Sequence, residues 1–260
     1  MRYNPFQLLN EVVKHVVRER GGVEERKYYR FRPSRFYGGS AVADAVGCIL
    51  RCGFCWGWRV NSSPESYGEF YSPSEVAVKL ISIARSRGYL YARVSGGEPT
   101  ISRKHLIQLL AELRARGFGK NHTFILETNG ILIGYDPSYA RELAEYRFIH
   151  VRVSIKGCTP EIFETITGAD RSFFELQLRA LKNLLDAGVS VHPAVMVSFC
   201  SREDVEYLTE RLRDIDERLV HQLEDEVVIL YPHVVELLKR RGLRPRIAID
   251  PRSWNYVTEV

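Results

Sequence analysis

The stretch AVADAVGCILRCGFCWGW, residues 41–58, sets a short apolar strand directly ahead of three cysteines within eight positions. Cys48, Cys52 and Cys55 are spaced by three and then two residues. That is too close for a disulfide framework, and it leaves an odd thiol over. Such a cluster at the end of a strand reads as a ligand set. Three thiolates on one loop suit three corners of an iron–sulfur cluster. Zinc is the other reading, but a structural zinc wants a fourth ligand, and Cys158, Cys200 and His105 are all distant in sequence.

Outward from this loop the chain alternates strand and helix. Residues 4–20 read as an amphipathic helix with Asn4 as N-cap, Pro5 in the first turn and Gly21-Gly22 as the stop. A basic, aromatic segment follows (ERKYYRFRPSRFY, 25–37), whose pattern fits a solvated edge strand. Strands are then expected near 41–46, 90–95, 122–127, 148–155, 189–197 and 226–231. Helices are expected from Ser72 to Gly88, from Ser102 to Gly117, after Pro137, from Ser172 to Gly188, from Ser201, and after residue 231. Six such units imply a parallel sheet with helices outside, an α/β fold. They are too few for a closed eight-stranded barrel, so a partial (β/α)6 barrel is predicted. It forms one domain, with residues 1–39 as an N-terminal helix and extended segment, 40–231 as the core and 232–260 as a short C-terminal extension.

At 260 residues and 45% hydrophobic, the chain can bury a full core. No apolar run is long enough to span a membrane, and no secretory leader is evident. Five cysteines without a leader argue for a reducing, cytoplasmic setting, with Cys158 and Cys200 as ordinary buried thiols. A net charge of +5 is too small to imply nucleic acid by itself.

The unusual residues fall where strands end, the face on which such folds place their chemistry. SGGEP (95–99) ends the second strand, ETNG (127–130) the third and SIKG (154–157) the fourth. With Cys48-x3-Cys52-x-Phe54-Cys55, GGEP and TNG, the chain resembles the radical S-adenosylmethionine (SAM) superfamily over about residues 40–231. The resemblance implies a [4Fe-4S] cluster on Cys48, Cys52 and Cys55, reductive cleavage of S-adenosylmethionine to a 5′-deoxyadenosyl radical, and hydrogen abstraction from a substrate. It also implies cofactor contacts. Phe54 would lie beside the adenine, and Gly96, Gly97 and Glu98 would receive the methionine amino group. Thr128, Asn129, Ser154 and Met196 would lie in the same pocket, and Lys156 would serve as a counterion for the methionine carboxylate.

Within the superfamily the pattern is similar to glycyl-radical activating enzymes such as pyruvate formate-lyase activating enzyme. Glu127, Thr128 and Asn129 stand where that group has Asp-Thr-Asn. Ser154-x-Lys156 stands for its Asp-x-Lys, a replacement that puts the group's cation site in doubt. The resemblance implies a glycine of a partner protein as substrate and a ferredoxin or flavodoxin as electron donor. A small-molecule or tRNA-modifying enzyme, similar to 7-carboxy-7-deazaguanine synthase, is the alternative. A non-enzymatic iron–sulfur or zinc protein is the third option. The basic aromatic segment with Arg26, Lys27, Arg30, Arg32 and Arg35 keeps nucleic acid open but not favoured.

Strand periodicity adds an independent expectation. In FIHVRVSIK (148–156), Ile149, Val151, Val153 and Ile155 share one face, and His150, Arg152, Ser154 and Lys156 the other. The second strand separates in the same way, with Arg93 on the polar side, and His192 and Met196 share a face of the fifth. The lumen should therefore be polar. Arg93, Arg152 and His192 are candidates for an anionic substrate group, and internal ion pairs, for instance with Glu127, are the alternative.

Overall fold

The computed structural model describes residues 2–258. Its strands are β1 (Val17–Arg20), β2 (Val23–Ser34), β3 (Ser40–Ala45), β4 (Glu69–Tyr71), β5 (Tyr91–Gly96) and β6 (Thr123–Thr128). They continue with β7 (Ile149–Ile155), β8 (Ser190–Met196), β9 (Glu224–Glu226), β10 (Val228–Ile229), β11 (Ile247–Ile249) and β12 (Tyr256–Thr258). Hydrogen bonding orders the main sheet β1-β2-β3-β5-β6-β7-β8-β9, with β4 also on β2. From β3 to β9 every pairing is parallel. These six strands and their helices are the predicted partial barrel.

Alternation along the strands builds its two surfaces. Ala43 and Ala45 of β3, Val94 of β5, Phe124 and Leu126 of β6 and Val151 and Val153 of β7 turn outward into one continuous core with the helices. Burying each of the larger side chains contributes about 1.5–3 kcal/mol. Helix starts follow local chemistry. Ser72 and Glu75 form a reciprocal capping box ahead of the helix Pro73–Arg87, and Ser201 and Asp204 do the same for Arg202–Ile215.

Several expectations are corrected. The first helix spans only Pro5–Val16, and Gly21-Gly22 does not end it. The pair turns the antiparallel β1–β2 hairpin, with φ of 58° and 77° that suit glycine. The basic aromatic segment is no solvated edge. It lies in β2, pairs with β3 on one side and with β1 and β4 on the other, and buries Arg26, Lys27 and Tyr28. The predicted sixth strand is split: Glu224–Glu226 completes the barrel, while Val228–Ile229 joins β11 and β12 in a separate three-stranded sheet. A helix at Pro160–Thr167, capped by Thr159, was not anticipated. Cys158 and Cys200, 42 residues apart, are not free thiols but a disulfide joining the loops after β7 and β8.

Candidate cofactor site and the charged lumen

Gly47 follows β3 with φ 86°, and the chain then turns through the cysteine loop. Its fastening is mostly backbone and side-chain amide. Asn61, from the short helix Trp58–Ser62, accepts the Gly47 amide at 3.0 Å. Through Nδ2 it donates to the Cys55 sulfur at 3.7 Å and to the Gly96 carbonyl at 3.4 Å. Tyr3, from the N-terminus, accepts the Arg51 amide at 2.8 Å. Cys48, Cys52 and Cys55 all remain free.

The GGEP and TNG segments are joined by one carboxylate. Glu98, 2% exposed, accepts the Thr100 amide at 3.0 Å, the Thr100 and Thr128 hydroxyls, the latter at 2.7 Å, and the Asn129 amide at 2.8 Å. Asn129 in turn aims Nδ2 at the Cys48 sulfur, 4.0 Å away. Gln177, fully buried on the helix Phe174–Asp186, donates to the Asn129 and Ser154 carbonyls and accepts the Lys156 amide. The motifs read at three strand ends are thus one connected frame.

Gly97 is required by packing alone. An added Cβ would lie 2.2 Å from the Gly47 carbonyl oxygen, so glycine is required where the two loops touch, before any ligand is considered. Phe54 packs beside Phe199 at 5.7 Å between ring centroids and against the apolar group that contains Met196.

The thiols test the fit of a metal group. Burial pushes Cys48 up to about 12, with the Glu98 carboxylate adding to the rise, and burial also raises Cys52 and Cys55. With protein alone around them they stay protonated, and a bound cationic group is what makes such thiols ligands. Among the described residues no three His, Cys, Asp or Glu side chains converge on one ion. A zinc site would need that convergence. A cubane, in which each cysteine takes a separate iron, does not, and the donor set fits it.

Below the sulfurs, the lumen is polar as predicted, and ion pairs fill it. Asp44 of β3, wholly buried, takes Arg30 at 2.7 Å and Arg32 at 2.8 Å. Arg93 pairs with Glu127, and Tyr37 adds a hydroxyl to Glu127 at 3.1 Å. Arg152 donates to Glu224 at 2.8 Å and Glu226 at 2.6 Å. Arg93 and Arg152 therefore follow the ion-pair alternative, though Arg152 chooses β9 over Glu127; contact with a substrate would require opening these pairs.

Ser154 donates to Glu226, and Lys156 reaches both Ser154 and Glu226, the latter at 3.4 Å. The carboxylate missing at position 154 thus arrives from β9. Burial works against both charges of this pair, yet their attraction wins: Lys156 is raised and Glu226 is held at about 2. Lys156 also lies near enough to Cys52 for each to act on the other's protonation. At the N-terminal ends of the strands His192 bonds His150 at 2.6 Å and Glu224 at 3.1 Å. These histidines border a cavity of about 660 Å³, far along the strands from the sulfurs. A second groove, about 560 Å³, runs beside Trp56 and Gly57, with Tyr29, Arg30 and His233 along it.

Asn61 and Gln177 were missed from the sequence, and Arg26, read there as part of a solvated basic segment, is buried. Gln177 had a signal, since it interrupts the apolar stripe of Phe174, Leu178 and Leu181. Asn61 had none. Arg26 lies in a run of four buried residues, 25–28, where β2 is covered on both faces and two-residue alternation gives no signal.

Residues 43–212 match the family model of the radical SAM superfamily. Over 148 residues the chain is 27% identical to the GTP 3′,8-cyclase of Petrotoga mobilis, covering 55% of this chain and 41% of that protein. A probable GTP 3′,8-cyclase of Saccharolobus islandicus is 26% identical over 178 residues, 68% of this chain and 53% of its own. The chain spans about half the length of these curated relatives or less. Among solved structures, native anSMEcpe with bound AdoMet superposes with a TM-score of 0.56 at 23% identity, over 71% of this chain and 50% of the other. A spore photoproduct lyase variant with dinucleoside spore photoproduct gives 0.59 at 13% identity, over 88% and 71%. These likenesses show the fold.

Proposed function

The chain belongs to the radical SAM superfamily, and we propose that it cleaves S-adenosylmethionine reductively to abstract a hydrogen atom from a separate substrate. The cofactors of the family, a [4Fe-4S] cluster and S-adenosylmethionine, supply the hydrogen-abstracting chemistry when bound. One observation carries the assignment to this chain's residues. Cys48, Cys52 and Cys55 stay free on one loop, and that loop is tied through Asn61 and Gly47 to GGEP and through Asn129 to TNG.

In this reading the three cysteines hold the cluster. Glu98 fixes the Thr128 hydroxyl and the Asn129 amide through its carboxylate, and ties to the cysteine loop through its amide on the Gly47 carbonyl. Gly96 and Gly97 bring backbone close to the methionine end. Lys156 stands as its cationic counterpart, pre-oriented by Ser154 and Glu226, and Phe54 and Met196 form the apolar wall for the adenine. The protein's own work is orientation and exclusion of water.

The substrate has two readings. The likeness of Glu127-Thr128-Asn129 and Ser154-x-Lys156 to the activating enzymes supports a glycyl-radical activase-like role on a partner protein. The cyclase names of the relatives support a small molecule instead. The groove beside Trp56 is open enough for either a peptide segment or a small molecule. A ferredoxin or flavodoxin is the electron donor we propose. Anaerobic incubation with dithionite, S-adenosylmethionine and deuterated candidates, a glycine-labelled partner protein in one arm and GTP in another, tests both. Deuterium in 5′-deoxyadenosine identifies the substrate. No cleavage from iron-loaded protein in any arm rejects the reading.

A further inference from the structure

Arg26 is 1% exposed, and its hydrogen bonds are unusual for a buried cation. Nη1 donates to the carbonyls of Val16 at 3.4 Å and Lys27 at 3.3 Å, and Nη2 to that of Glu98 at 3.4 Å. All three are long and all are to neutral main chain. Nε is buried without an acceptor. Arg93 and Arg152, nearly as buried, each grip carboxylates; among the described residues Arg26 has none within ion-pair distance. The carboxylate of Glu98 is turned away, onto Thr100, Thr128 and Asn129. A buried charge left so costs several kcal/mol.

The missing counter-charge has an address. Arg26 bonds the carbonyl of Glu98, whose amide donates to Gly47 at 2.8 Å, the residue before Cys48. The Cys48 sulfur and the Glu98 carboxylate are among the acidic groups that act on the guanidinium. We infer that Arg26 is the charge partner of the cluster on Cys48, Cys52 and Cys55, favouring its reduced form from a hairpin outside the matched family region. Three thiolates on a cubane leave net negative charge, and reduction adds one more. A cation behind the first cysteine therefore stabilises the reduced state more than the oxidised one. The inference rests on the cluster and is independent of the substrate.

Arg26→Met removes the charge and keeps most of the volume. In the metal-free protein its thermal midpoint should equal or exceed that of the wild type, because an uncompensated charge is gone. In the iron-loaded protein the ratio of reduced to oxidised cluster at a fixed potential should fall about tenfold, a 59 mV shift for one electron. Arg26→Lys, which keeps the charge, should titrate near the wild type. An unmoved potential in Arg26→Met overturns the inference. So does loss of folded metal-free protein in both Arg26→Met and Arg26→Gln, which would mark a purely structural residue. If the wild type takes up no iron, the cluster itself fails in this chain and the Arg26 assignment falls with it; a loaded wild type with an unmoved Met variant rejects Arg26 alone.

Discussion

The two ends of the barrel keep polar groups buried in opposite ways. At the sulfur end the fastenings are backbone amides, carbonyls and side-chain amides, with Glu98, Asn61 and Gln177 as junctions. The three thiols stay free, and Arg26 has carbonyl acceptors but no carboxylate among the described residues. Towards the other end the charges match each other, Arg152 with Glu224 and Glu226 and Arg93 with Glu127, while His192 bridges His150 and Glu224. Unmatched groups where a cofactor belongs, and matched groups elsewhere, separate a binding site from a scaffold more sharply than exposure does.

The largest test breaks the sulfur end. Alanine at Cys48, Cys52 or Cys55 should reduce iron from about four per chain to little or none and abolish cleavage of S-adenosylmethionine, while the fold measured by circular dichroism persists. Zinc uptake without iron would contradict the assignment.

A second test concerns the covalent link across the loops after β7 and β8, close to Lys156 and Met196. Denatured, unreduced protein should show three reactive thiols, rising to five after reduction. Cys158→Ser should lower urea stability by about 4 kcal/mol, the loop-closure value for a separation of this size. Five thiols before reduction would remove the link.

Arg152→Leu probes the matched end. It strands Glu224 and Glu226, with His192, Ser154 and Lys156 left to face them among the described residues. A loss of about 3 kcal/mol is expected, with a lower melting temperature. Unchanged stability with lost substrate-coupled turnover would restore Arg152 as a substrate contact.

The smallest effect is with acid. Burial and His192 hold His150 down at about 4, against an ordinary value near 6.5. The unfolded chain therefore takes up a proton that the fold refuses, and stability declines as pH falls from about 6.5 towards 4. Glu226 sits at about 2 because Lys156 and Arg152 overcome its burial; its contribution is intact above the unfolded value and fades as pH falls from about 4.5 towards 2. Urea midpoints at pH 7, 5 and 4 should show a loss of about 1–2 kcal/mol by pH 4, allowing for partial exposure of His150. A flat profile would show that the fold does not hold His150 unprotonated.

Period-two alternation in residues 149–155 and the glycines and cysteines at strand ends were enough to read the parallel barrel, its polar lumen and the strand ends at which the motifs lie, because strand geometry and ligand spacing are local. The frame around that site is not local. Asn61, Gln177 and Arg26 act on backbone 14 to 72 residues away, and no spacing rule reaches that far. Whether Cys158 met Cys200, and whether Arg152 chose Glu127 or β9, depended on how neighbouring strands aligned in space. Register and loop closure decide such pairings, and only the folded chain contains them.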